Sequence, residues 1–152
     1  MVFMAKILIS SLGTGRLEKC NTSSREYSRT TYKFQGSEKE YRTPFVAVAL
    51  SDYLQVDRLY LVGTSKSMWE EVYSYFTYNS NQAVDYDYWT ELCNKVTSFQ
   101  PGNNKIDEKD LSKVNHAIDG YLKYIRPSAL GGSHCYIIDY GLNKEELWAN
   151  FD

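Results

Sequence analysis

Basic charge, cysteine and long apolar runs are all scarce in this chain. Seventeen Lys and Arg stand against nineteen Asp and Glu, a formal net charge of −2. Proteins that hold long nucleic acid by bulk electrostatics usually carry a basic domain, so that class is not expected. The balance leaves room for a small anionic ligand in a local pocket. The three cysteines, Cys20, Cys93 and Cys135, have neither CxxC nor zinc-ligand spacing. An odd number without a secretory signal points to a reducing cytoplasm. No stretch approaches a membrane span, and Met1-Val-Phe-Met-Ala5 is too short for a secretory leader. Nor is there a Ser-His-Asp order, a paired-carboxylate motif, a metal cluster, a P-loop, a repeat or a low-complexity segment. No metal and no cofactor are expected.

What remains is globular in composition. At 152 residues and 43% hydrophobic, residues 1–152 suit a single domain with a core that needs no disulfide or metal. The chain is organised around Lys6-Ile-Leu-Ile-Ser-Ser-Leu-Gly-Thr-Gly-Arg16. A short apolar run ending at a glycine turn reads as a strand buried on both faces, as in a parallel sheet. In open α/β sheets ligands sit just beyond the carboxyl ends of such strands. Glycines let a ligand approach closely, and successive N–H groups can form an anion-binding nest. Gly13-Thr-Gly15 therefore reads either as an anion loop or, on its own merits, as a plain turn. Glu18 stands where the third glycine of G-x-G-x-x-G belongs. A polar stretch from Glu18 to Ser28 then leads into a hairpin, with Thr30–Phe34 and Lys39–Thr43 as its strands. A dinucleotide site is not expected.

Thr43-Pro44 suits a helix start, and Phe45, Val46, Ala49, Leu50, Tyr53 and Leu54 follow at helical spacing. Arg58–Gly63 reads as a second buried strand. Thr64-Ser-Lys-Ser67 connects it to a helix reaching about Phe76, with Ser67 and Glu70 spaced as a capping box. Such a hydroxyl-rich loop at a helix N-terminus favours anions through free N–H groups and the helix dipole. Residues 79–132 read as a helical section. One amphipathic helix spans Asp85–Phe99, and a longer one is capped by Asp107, with Ile106 and Leu111 as a hydrophobic staple. Cys135–Tyr140 reads as a third strand. Asn143-Lys-Glu-Glu146 opens a short helix holding Leu147, Trp148 and Phe151. His116 reads as surface or satisfied core. His134 and Asp139 are the isolated candidates for a site near strand ends. The fold class expected is α/β: a Rossmann-like, mostly parallel sheet flanked by helices, with a hairpin after the first strand and a helical insertion.

Five segments in this order carry a resemblance. They are Ile7–Gly15, Tyr32-Lys-Phe34, Thr43-Pro-Phe45, Leu61-Val-Gly-Thr-Ser-Lys-Ser-Met-Trp69 and Tyr140-Gly-Leu-Asn-Lys-Glu-Glu-Leu-Trp148. The chain resembles the N-terminal sensor part of the CRISPR-associated Rossmann-fold (CARF) proteins of type III systems, nearest those related to HEPN ribonuclease effectors. The resemblance implies a homodimer that binds cyclic oligoadenylate across its two-fold axis. It nominates Ser11, Leu12, Gly13, Thr14 and Gly15, with Gly63, Thr64, Ser65 and Ser67, as ligand-binding residues. Members of that family continue into a further strand with an Asp-x-Thr-His-Gly-Phe-Arg-Ser-like segment, and later into a ribonuclease domain with an Arg-x4-His motif. Neither occurs here, so a truncated form or a short stand-alone relative is expected. His116 has Leu111 five residues before it and His134 has Ala129, so neither completes the ribonuclease pattern. Two other functions stay open: a metal-independent ring nuclease that opens the bound ligand by positioning a ribose 2′-OH, and an interaction domain whose Gly-Thr-Gly loop is only a turn.

Overall fold

The computed structural model describes residues 4–15, 17–21, 24–97 and 105–138. The chain enters through β1 (Ile7–Leu12) and then forms two antiparallel strand pairs. These are β2 (Leu17–Asn21) with β3 (Ser24–Tyr27), and β4 (Thr30–Lys33) with β5 (Glu40–Thr43). Helix α1 (Val46–Tyr53) leads to β6 (Arg58–Gly63). Helices α2 (Trp69–Asn79), α3 (Tyr86–Thr97) and α4 (Glu108–Ile125) then lead to β7 (His134–Ile137). Strands β1, β6 and β7 form one parallel sheet in the order β1-β6-β7. The protein is thus α/β with a Rossmann-like arrangement of parallel strands and connecting helices.

The helices pack on one face of that sheet. Leu12, Leu59, Leu61 and Cys135 point into a core closed by Ala47 and Val48 of α1, Val72 and Phe76 of α2, and Val114, Ile118 and Leu122 of α4. Among the described residues no element packs on the other face, which corrects the expectation of strands buried on both sides. Ile7 and Ile9 are 45% and 69% exposed. Along β6, buried Leu59, Leu61 and Gly63 alternate with half-buried Arg58, Tyr60 and Val62. Three apolar residues in a row do not say whether a second layer covers them.

Local signals placed most elements well and misplaced some ends. The expected hairpin is present as β4–β5, with Tyr32 opposite Tyr41, and turns through Gly36 at φ 83°. The polar stretch before it holds a second hairpin, β2–β3, because backbone pairing needs no apolar alternation. Helix α1 begins at Val46, after Phe45 as N-cap, so Thr43 and Pro44 precede it. Thr43 ends β5, and its Oγ1 accepts from the Phe45 N–H at 3.4 Å.

The capping box expected at Ser67 and Glu70 is absent: α2 begins after Met68, which has no side-chain cap. At α4 the box is real. Asp107 accepts from the Asp110 N–H at 2.9 Å, and Asp110 accepts from the Asp107 N–H at 3.0 Å. The helix expected at 143–151 lies outside the described residues. No helix among the described residues is long and apolar enough to cross a membrane.

Candidate functional site

Strands β1 and β6 lie side by side with Leu12 opposite Gly63, so the loops leaving them meet at one rim of the sheet. They are stitched together there. The Met68 N–H donates to the Gly13 carbonyl at 3.1 Å, and the Ser67 hydroxyl donates to the Leu12 carbonyl at 2.7 Å. Ser67 Oγ also accepts from the Thr64 N–H at 2.9 Å. The Trp69 indole N–H donates to the Thr64 carbonyl at 2.8 Å, which closes the second loop on the start of α2. Beside them, the Ile138 N–H donates to the Gly63 carbonyl at 2.7 Å.

All nine nominated residues fall in this one region, but in two roles. Ser11, Gly13, Thr14 and Gly15 are exposed, and Thr64 and Ser65 are half-buried. These present backbone and hydroxyl groups to solvent. Leu12, Gly63 and Ser67 are buried. The Leu12 side chain belongs to the core, and the Ser67 hydroxyl is occupied in joining the loops. A Cβ on Gly63 would come within 2.7 Å of Ser67 Oγ and 3.0 Å of the Trp69 ring. Only a residue without a side chain allows that approach.

The two loop glycines also differ. Gly15 has φ 70°, and a Cβ there would overlap the Met68 methyl and the edge of the Tyr27 ring. A Cβ on Gly13 would meet nothing closer than the Gly15 nitrogen, at 3.8 Å. Tyr27 and Met68 thus shape the loop, although neither stands out in the sequence. Tyr27 is held by its hydroxyl, which donates to the buried Glu70 carboxylate of α2. That contact takes the side chain that local spacing assigned to a cap. Lys66, half-buried in the second loop, donates its N–H to Thr64 Oγ1 at 3.3 Å.

The isolated candidates lie elsewhere. His134 starts β7 opposite Tyr60, three residues below the rim, with its ring 4.5 Å from that of Tyr136. His116 is exposed on α4. Asp139 lies outside the described residues. A groove of about 880 Å³ between α4 and β7, lined by Leu111, Asn115, Cys135 and Ile137 among others, does not include the two loops. Among the described residues no cluster of three or more His, Cys, Asp or Glu could hold a metal.

The first turn of α2 carries a titrating group. Burial pushes the Glu71 carboxyl up to about 7, and the nearby Arg29 only partly offsets this. A carboxyl with a raised folded value holds its proton more tightly when native. Its contribution is therefore full below pH 4.5 and lost as pH rises to about 7. Glu71→Gln should remove that decline and stabilise the protein by about 2 kcal/mol above pH 7. Thermal melts of both proteins between pH 5 and pH 8 would show this; parallel curves would rule it out.

The chain is 43% identical over 149 residues to the CRISPR-associated protein MJ1674 of Methanocaldococcus jannaschii. It is similar to a CRISPR-associated protein over almost its whole length. The match covers 98% of this chain but 23% of the relative, so the chain spans about a quarter of that protein. No family model matches, and no solved structure gives a match.

Proposed function

We propose that this chain is a sensor domain in type III CRISPR defence, acting in the cytoplasm as a homodimer that binds cyclic oligoadenylate. The observation that carries the reading is the stitched rim, where two parallel strands deliver a Gly-Thr-Gly loop and a hydroxyl-rich loop to one place. The likeness to a CRISPR-associated protein supports the biological setting. Exposed backbone at Gly13 and Gly15, with the hydroxyls of Thr14, Thr64 and Ser65, would meet the phosphates and riboses of the ring. Such donors favour anions without a metal. A cyclic oligoadenylate is symmetric, so two copies of the rim can meet it with the same residues in an isologous arrangement.

Cys93 and Cys135 are both buried, and burial pushes the Cys135 thiol up to about 12. An unreactive, reduced thiol is compatible with the cytoplasm.

The test is incubation of the purified chain with cyclic tetra- and hexa-adenylate, following binding and linear products together. A sensor binds and leaves the ring intact. Linear products would instead make the chain a ring nuclease, and no binding would leave a ligand-free interaction domain. Gly13→Val should weaken binding on the order of a hundredfold without changing the fold, because its side chain enters open space at the ligand's side of the loop. Unchanged affinity in a folded Gly13→Val protein would take this loop out of the site. Sedimentation should show a dimer.

A further inference from the structure

Glu71, Tyr75 and Tyr78 share one face of α2, because residues three and four apart are neighbours on a helix. With Tyr86 and Trp89 of α3, and Arg29 from the turn between β3 and β4, they line a cleft of about 220 Å³. No residue of the two rim loops lines it. Tyr78 and Tyr86 are 71% and 65% exposed, and Tyr75 and Trp89 are half-buried. Four aromatic side chains left partly in water around one cleft mark a contact.

The polar groups of the cleft also lack partners. The Glu71 side chain is half-buried, yet among the described residues nothing donates a hydrogen bond to its carboxylate. Buried acceptors normally have a donor, and the want of one agrees with the raised Glu71 value. The Arg29 guanidinium, on an exposed residue, lies 5.9 Å from the centre of the Tyr75 ring. Its charge reaches Glu71 without a bond between them.

We propose that this cleft binds a nucleotide through its base, stacked on the rings, with Glu71 accepting from the base's amino group and Arg29 meeting the phosphate. Each wall has its counterpart in that ligand. Aromatic faces stack with any base. A carboxylate accepts from an exocyclic amino group, and a guanidinium matches a phosphate. Aromatic walls with a carboxylate also suit a quaternary ammonium ion. Here Arg29 sets a positive charge against the same walls, which disfavours a second cation. Size agrees as well. Pockets that enclose a whole drug-sized ligand run to about 300–1,000 Å³. This smaller cleft suits one planar ring system, leaving ribose and phosphate at its mouth beside Arg29.

The experiment is calorimetric titration of the intact chain with AMP, CMP and UMP at pH 8, where Glu71 is ionised. AMP and CMP, which carry an amino group, should bind about tenfold tighter than UMP, which does not. Tyr78→Ala, at an exposed side chain, should keep the fold by circular dichroism and weaken all three about tenfold. Glu71→Leu should erase the preference for AMP and CMP while leaving UMP unchanged. Arg29→Ala should weaken the nucleotides but not the corresponding nucleosides. The dinucleotide ApA separates two sources of the base: affinity equal to that of AMP fits a free nucleotide, tighter binding a base within a strand, and both uphold the cleft. Gly13→Val, in the rim loop, should change none of these values. Absence of saturable binding, or an affinity for choline above that for AMP, would overturn the proposal. So would a loss of binding in Gly13→Val that Tyr78→Ala does not reproduce, which would give the nucleotide to the rim.

Discussion

Gly15→Val is expected to lower the midpoint of thermal unfolding by on the order of 10 °C. Two costs add at that position. A β-branched residue held at φ 70° is strained by about 1–3 kcal/mol. Its side chain must also displace the Met68 methyl and the Tyr27 ring, and forcing extra atoms into a packed site costs about 1–3 kcal/mol more. The Met68 methyl is the end of a flexible chain and can move. Tyr27 has less freedom, because it is buried and its hydroxyl is bound to Glu70. For a chain of 152 residues each kcal/mol shifts the midpoint by about 2–4 °C. Gly13→Ala, two residues away, should melt with the parent protein, since its Cβ finds open space. The contrast separates the glycine that shapes the loop from the one that faces open space. Equal melting of the Gly15→Val variant and the parent would show that the loop relaxes freely.

Asp110→Ala should cost about 3–5 kcal/mol at neutral pH, because its carboxylate ties α3 to α4. One oxygen accepts from the Tyr88 hydroxyl at 2.8 Å. The other accepts from the Lys95 ammonium at 2.7 Å and the Asp107 N–H at 3.0 Å. The Asp110 side chain is 5% exposed and that of Lys95 20% exposed, so removing the carboxylate strands a shielded ammonium and a buried phenol. Burial alone would raise the Asp110 carboxyl, but Lys95, the Asp107 N–H and Tyr88 outweigh it and hold it below the ordinary 3.8. A depressed carboxyl stabilises the fold above its unfolded value, and that contribution disappears as pH falls through the folded one. The deficit of Asp110→Ala in urea titrations should therefore be large at pH 7 and shrink below pH 3. A deficit of equal size at both would assign the loss to packing. Asp110→Asn should fall between, because it still offers Tyr88 and Lys95 an acceptor.

The elements best read from sequence are those whose signals lie within a few residues. Asp107 and Asp110 form their cap three residues apart, so the spacing alone exposes it. Val114, Ile118 and Leu122 recur at helical spacing and are fully or nearly fully buried as one stripe of α4. Strand β6 runs from Arg58 to Gly63, with bounds set by a polar start and a glycine end. The candidate rim was legible for the same reason, since each loop follows a short apolar run and carries its own glycine.

What the sequence by itself determined, then, is the succession of elements other than the β2–β3 hairpin, and the two loops at the strand ends, because turns, caps and periodicity act over one or two helical turns. Tertiary structure decided which partners the polar side chains take. Ser67 and Glu70 have capping spacing, yet Ser67 donates to a carbonyl 55 residues away and Glu70 accepts from a tyrosine 43 residues away. A hydroxyl or carboxylate bonds whichever group the fold brings near, and local spacing cannot rank a contact that distant. Tertiary structure likewise decided that Ile7 and Ile9 face outward while Leu12 enters the core. Their shared apolar character shows that each gains from burial. Which of them is buried depends on the layer that the helices form across a single face of the sheet.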